Sequence, residues 1–240
     1  MARGTTLERL LTDFRAEARI SQKPAHNIVA RDAQVVLLQR KQEWLWNEHD
    51  WPHLRVDRYI DLAAGQRYYD MPDDIDIDRI QRVAVRHDSI YYGLGASIEE
   101  QHYAAYDSDL DARSWPVQRW KITENTQIEV WPIPSENYDS DTLNGRLKIT
   151  AIRRLNPLVN VADTADLDDR LIVLHAAAEH LASTGAKDAQ LKLEQAEKLF
   201  VKLKGALQAR RVVSRMLVSS VRGPDRENVE RVPLAVYRTT

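Results

Sequence analysis

The chain of 240 residues contains no cysteine, which excludes thiolate catalysis, disulfides and cysteine-ligated metals and fits a reducing compartment. Glycine is scarce as well. With only eight glycines there is little material for phosphate cradles, and no Walker-type loop, Gly-x-Gly-x-x-Gly or Gly-x-Ser-x-Gly elbow occurs. Gly93-Leu94-Gly95 reads as a turn. Long apolar runs are also missing, and the opening MARGTTLERLL lacks a signal peptide's apolar core, so the chain reads as soluble and unexported. Repeats and low-complexity tracts are absent. The length suffices for a full hydrophobic core without disulfide or metal staples, in one large domain or a compact domain with an insertion.

What is present is unevenly distributed. The formal net charge is -2, but from Gly205 onward seven arginines (Arg210, Arg211, Arg215, Arg222, Arg226, Arg231 and Arg238) face only Asp225, Glu227 and Glu230. This end therefore carries an excess of four positive charges over an acidic body. Such a distribution favours docking of the end on something acidic, for example a neighbouring copy.

Three of the six tryptophans fall within Gln34 to Leu54, where the periodicity changes from helical to stranded. Val29, Ala33, Val36, Leu37, Arg40 and Trp44 follow spacings of three and four and predict one buried helix face. Pro52 stops that helix near Asp50. Trp44, Trp46, Trp51 and Pro52 are therefore expected to form a junction between helical and stranded layers.

Before this junction, Thr5–Ile20 reads as an amphipathic helix with Leu7, Leu10, Leu11, Phe14 and Ala18 on one face, and a second helix is expected from Pro24 to about Glu48. After it, Val56–Leu62 and Gln66–Asp70 are expected to pair as a hairpin through Ala64-Gly65. Arg79–His87 and Ile90–Tyr92 read as strands, and Ser97 as the cap of a short helix ending near Tyr106. Val117–Thr123 and Gln127–Trp131 make a second hairpin, ended by Pro132 and Pro134, and RLKITAI makes a last strand. Four aspartates between Asp163 and Asp169 mark a helix start, with Leu167, Leu171, Leu174, Ala178 and Leu181 inward and Gly185 at its end. The final helix, Ala186 to about Arg211, carries a heptad-like seam and i,i+4 pairing among Asp188, Lys192, Glu194 and Lys198. Gly223-Pro224 is a break.

The expected fold is α+β: a helical bundle built from N- and C-terminal helices, with an inserted antiparallel β-rich domain and an extended C-terminal tail. The boundaries are 1–54 for the N-terminal helices, 55–155 for the insertion, 156–214 for the C-terminal helices and 215–240 for the tail.

Candidate chemistry is thin. His175 and Glu179 stand at i,i+4 but lack a third metal ligand. His49, Asp50 and His53 flank Trp51-Pro52 and read as turn and capping groups. Asp73, Asp74, Asp76 and Asp78 lack the central glycine and closing glutamate of an EF-hand. The Arg and Trp residues between Trp115 and Trp120 sit in balanced charge with no nucleic-acid-reading motif. No catalytic residue, cofactor or metal site is assigned.

Three strings in order carry a resemblance: QEWLWNEHDWPHL, then GQRYYDMPDDIDIDRI, then IEVWPIPSENY followed by RLKITAIRRL. With the helices around them they resemble the head-to-tail connector (adaptor) proteins of tailed bacteriophages over residues 5 to 205. The resemblance implies a structural virion protein without enzymatic activity, in the neck or tail region and assembled in the host cytoplasm. It implies a ring, usually of twelve subunits, below the portal protein, extending the DNA channel and joining capsid to the next tail component. Packaged DNA would pass without sequence-specific binding, with acidic loops such as Asp107–Asp111 or Asp139–Asp141 facing it, and no membrane is involved. Helices form the ring body, a β domain projects, and the C-terminal segment reaches the portal or a neighbour. Arg210, Arg211, Arg215, Arg222, Arg226, Arg231, Tyr237 and Arg238 would then be the portal or neighbour-subunit contacts. The competing readings are a nucleic-acid-binding module using the basic tail and a metal-dependent hydrolase.

Overall fold

Two clusters of apolar side chains organise the molecule, one enclosed mainly by helices and one by strands. The computed structural model describes residues 3–23 and 30–220, with side chains of the last helix described as far as Gly205. Among the described residues the fold is α+β, with five α-helices and mostly antiparallel sheets.

In the helical part, α1 (Leu7–Glu17) buries Leu7, Leu10, Leu11 and Phe14, as their spacing predicts. α4 (Asp169–Ser183) is apolar nearly all round and packs against α1, α2 (Arg31–Glu48) and α5 (Ala189–Ser220). Asp168 caps α4 by accepting the Leu171 amide at 3.1 Å. Gly185, at φ 69°, turns the chain into α5, and this short connection folds α5 back along α4. α2 also runs antiparallel to α4, since Trp44 meets His175 while Lys41 pairs with Glu179 one turn along. α1 runs parallel to it, with Thr5 bonded to Asp169 and Phe14 against His180.

The stranded part comprises two four-stranded sheets. The first is fully antiparallel in the order β1 (Arg55–Asp61), β10 (Arg146–Arg153), β3 (Ile75–His87), β4 (Ile90–Gly93). The second runs β2 (Tyr68–Asp70), β8 (Gln127–Trp131), β7 (Arg119–Ile122), β5 (Gly95–Ala96), with only the β5–β7 pair parallel. α3 (Glu100–Ala105) lies between β5 and a short parallel ladder of β6 (Arg113–Ser114) with β9 (Ile133–Pro134). Val83, Val85, Leu147 and Ile149 of the first sheet share one core with Tyr69, Ile128 and Val130 of the second.

The second expected hairpin is present as β7–β8, and RLKITAI lies within β10. The first hairpin is not: β1 pairs with β10, and β2 pairs with β8 in the other sheet. Leu62 and Tyr69 are buried between the sheets, so the chain crosses the core here instead of turning back on itself. The Tyr69 hydroxyl fixes the crossing: it accepts the Ala63 amide at 3.0 Å and shares its single proton between the carbonyls of Ala63 and Gln66, each 3.1 Å away.

The expected apolar stripe of α2 is also corrected. The buried positions are Gln34, Leu38, Gln42 and Leu45, while Ala33, Val36, Arg40 and Trp44 are exposed. Two glutamines point inward because partners await them, which hydrophobicity alone does not register. Ser97 does not cap α3, for its backbone is left-handed at φ 71°; Glu99 does so in a reciprocal arrangement with His102. Asp188, just before α5, and Lys192 of α5 pair not with each other but with Arg19 and Glu17 near the end of α1. α5 continues to Ser220, past the expected end near Arg211.

Candidate functional site

The chain leaves α2 through its tryptophan cluster, and each ring there does a different job. Pro52 opens a 3-10 turn, Pro52–Leu54, after an extended Trp51. Trp51 is wholly buried, donates its indole N–H to the Leu45 carbonyl at 2.9 Å and lies 6.2 Å from the Phe200 ring of α5. Trp46 donates to the Arg153 carbonyl of β10 at 3.2 Å. The Arg79 guanidinium of β3 lies 4.4 Å from the centroid of Trp46, donates to its carbonyl at 2.8 Å and also binds the Asp50 carboxylate. Trp44 is 43% exposed and rests on His175, with centroids 5.1 Å apart.

Glutamines extend these ties. Gln42 donates to the Asn156 carbonyl at 3.4 Å and accepts the Asp166 amide at 3.3 Å, and Gln39 accepts the Leu158 amide at 2.9 Å. Gln34 accepts from Arg15 at 2.9 Å, joining α2 to α1. Asp166 in turn accepts from Arg153 and from the Asn156 amide at 2.7 Å. The segment between β10 and α4 is thus stitched to α2 by neutral amides whose hydrogen bonds are internal. An open cleft of about 680 Å³ lies beside the cluster, lined by Glu43, Trp46, Asp76, Arg79 and Arg154 among others.

Most of the titratable groups singled out from sequence are engaged in structure. Glu179 pairs with Arg40 and Lys41. His175 is buried beside them, and burial first and the Lys41 charge second lower its pKa to about 4, so it is neutral at pH 7. His53 donates to the Asp166 carbonyl at 2.8 Å, and burial lowers its pKa. Asp74 binds Arg58, which holds its carboxyl below the usual range. Asp76 accepts the Asp78 amide at 3.3 Å. Among the described residues no group of three or more His, Asp or Glu side chains is placed to hold a metal ion. In the acidic loops, Asp107 accepts the Asp109 amide at 2.9 Å, Asp111 pairs with Arg113, and Asp139 accepts the Asp141 amide at 3.0 Å, so these carboxylates shape their own turns.

Sequence reasoning missed Glu129. It is buried on β8 and bonded by Arg67 at 2.7 Å, Tyr103 of α3 at 2.9 Å and Lys121 at 3.1 Å. The signal lay in register: Lys121 stands opposite Glu129 across the β7–β8 hairpin. Of the expected C-terminal contacts, Arg210, Arg211 and Arg215 lie on α5 beyond the described side chains, and Arg222, Arg226, Arg231, Tyr237 and Arg238 lie outside the described residues.

No curated protein matches this chain. The family model of the SU10 adaptor protein, by contrast, matches residues 5–224, a span that takes in every helix and strand described above. The chain therefore belongs to the SU10 adaptor protein family, a family of phage head-to-tail adaptors.

Proposed function

We propose that the protein is a structural component of the virion neck that forms a ring, of twelve copies, below the portal and joins capsid to tail while extending the DNA channel. The family match over residues 5–224 carries this reading. Residues 1–54 and 156–214 are the bundle that makes the ring body, 55–155 the projecting β-rich insertion, and 215–240 the tail that reaches the portal or a neighbour. Trp44, Trp46, Trp51 and Pro52 are the junction between body and insertion; support comes from Trp46 and Arg79, which tie α2 to β10 and β3. The arginines from Arg210 onward meet an acidic surface on the portal or on the next copy, a role for which their excess charge fits.

A structural role agrees with the state of the polar groups. His175, Glu179, Asp74 and Glu129, which would head any search for an acid, base or ligand, are neutralised or paired inside the fold. Among the described residues no helix is long and apolar enough to cross a membrane. Electron microscopy of the purified protein mixed with its portal tests the proposal. A ring stacked on the portal is the expected result, and persistent free monomers would overturn it.

A further inference from the structure

Helix α2 presents apolar side chains on the wrong face for a solvated helix. Its inner face is Gln34, Leu38, Gln42 and Leu45, whereas Val36 is 63% exposed on the outer side and Trp44, 43% exposed, lies on the flank between that side and His175 of α4. The outer side of α5 repeats the pattern: Ala196 and Leu203 face the core, while Leu191 is 54% and Val201 67% exposed. Each outer face thus has the spacing of a helix-packing seam without a partner helix among the described residues.

The two faces also complement each other. Seven residues after Val36 stands Glu43, which forms no ion pair among the described residues and accepts the Gln39 amide at 2.7 Å. Seven residues after Leu191 stands Lys198, likewise without an acidic partner among the described residues. Placing α2 beside α5 in parallel sets Val36 against Leu191, Glu43 against Lys198 and Trp44 near Val201. The antiparallel alternative, with Val36 against Val201, would set Glu43 against Glu194 and is disfavoured by like charge. Arg40 does not alter this choice, because it is already engaged by Glu179 of its own chain.

Orientation within one copy supplies the parallel arrangement. Both α2 and α5 run antiparallel to α4 and hence parallel to each other. They lie on opposite sides of α4: His175 and Glu179 face α2, while Val173, two residues from His175 and so on the far side of the helix, lines a cleft with Leu199 and Lys202 of α5. The outer seams therefore look away from each other. A surface that matches a different surface on an identical copy makes a head-to-tail contact, and such contacts close into rings when the rotation allows.

We infer that adjacent copies in the ring pack the outer face of α2 (Val36, Glu43, Trp44) against the outer face of α5 (Leu191, Lys198, Val201) of the next copy, in parallel. This rests on the proposed ring. Because the chain has no cysteine, single introduced thiols report the contact cleanly. In assembled neck particles and in concentrated full-length protein, V36C mixed with L191C should give a covalent dimer under mild oxidation or a short bis-maleimide. The double variant V36C/L191C should give a ladder of higher oligomers, and V36C mixed with V201C should give at least several-fold less. A charge reversal, Glu43→Lys, should slow ring assembly several-fold, and adding Lys198→Glu should restore it. Rings that form normally but show neither the covalent link between V36C and L191C chains nor charge rescue overturn this contact and leave the ring reading standing. Chains that stay monomeric alone and with the portal overturn both.

Discussion

The helical and stranded cores treat buried polarity in opposite ways. Along the bodies of α2 and α4 the buried polar groups are uncharged, Gln34 and Gln42 bonding to neighbouring segments and His175 held neutral, and the buried carboxylates Asp168 and Asp169 sit only at the N-terminal end of α4, where Asp168 caps the helix. Between β2, β7 and α3 the buried group is a carboxylate, Glu129, enclosed by Arg67, Lys121 and Tyr103. Uncharged amides along helix bodies lose less when they exchange partners than a buried ion does, and a buried ion with three partners fixes one register. The helical part leaves apolar side chains outward at Val36, Trp44, Leu191 and Val201, as the stranded part does at Tyr59, Ile90, Tyr92 and Leu110. On the proposed α2–α5 contact, the outward side chains of α2 and α5 are covered by another copy.

The comparison breaks most severely at Trp51. Trp51→Ala removes the largest wholly buried side chain, together with its bond to Leu45 and its contact with Phe200. The expected loss is about 4 kcal/mol of stability, measured by denaturant unfolding, with impaired ring assembly. A variant of normal stability would show that the helical core does not depend on this ring. In the stranded core, Glu129→Ala leaves Arg67 and Lys121 facing each other without their anion. The cost is about 3 kcal/mol, discounted from a fully buried pair because both cations reach solvent at one edge. Loss of the β-sheet signal at lower temperature than the helical signal would show that the two cores respond separately.

Acid distinguishes the cores more finely. His175 has a folded pKa of about 4 against about 6.5 unfolded, so between these values the unfolded chain binds the extra proton and stability rises with pH. Lowering the pH from about 7 to about 5 should therefore remove about 2 kcal/mol. His175→Phe should flatten that part of the pH–stability curve. The stranded part has an opposite timing: Asp74, whose pKa is lowered by Arg58, loses its contribution only as pH falls below the ordinary carboxylate range. Equal pH dependence in wild type and His175→Phe would mean that the imidazole is not the source.

Much of this fold was legible residue by residue, and the failures share a cause. Apolar spacing located α1, where one face is apolar and the other is wet, and runs of apolar residues bounded by cap and turn signals located α4 and the β7–β8 hairpin. It misread α2, where glutamines are inside and a seam is outside, since a sequence periodicity states that a face is apolar and not what covers it. The hairpin expected at Ala64-Gly65 failed for a non-local reason: β10, distant in the chain, competes for β1 and wins. The junction tryptophans were visible as a cluster, but their partner Arg79 was not, because nothing local marks an arginine that reaches across from another element.

Arg79 offers the smallest and most specific test of how the two cores are joined. It is the one described side chain on β3 that stacks on Trp46 and bonds both the Trp46 carbonyl and Asp50, so it bridges the strands to the exit of α2 without belonging to either apolar cluster. Arg79→Lys keeps the charge but loses the planar stacking and the forked donation, and should weaken coupling by about 1 kcal/mol. The informative quantity is the interaction energy in a double-mutant cycle of Arg79→Lys with Asp50→Ala. A coupling of this size, accompanied by separation of the helical and sheet melting transitions, identifies Arg79 as a bridge between cores. A coupling near zero with a single sharp transition would place the linkage instead in the glutamine ties from Gln39 and Gln42 to the segment after β10.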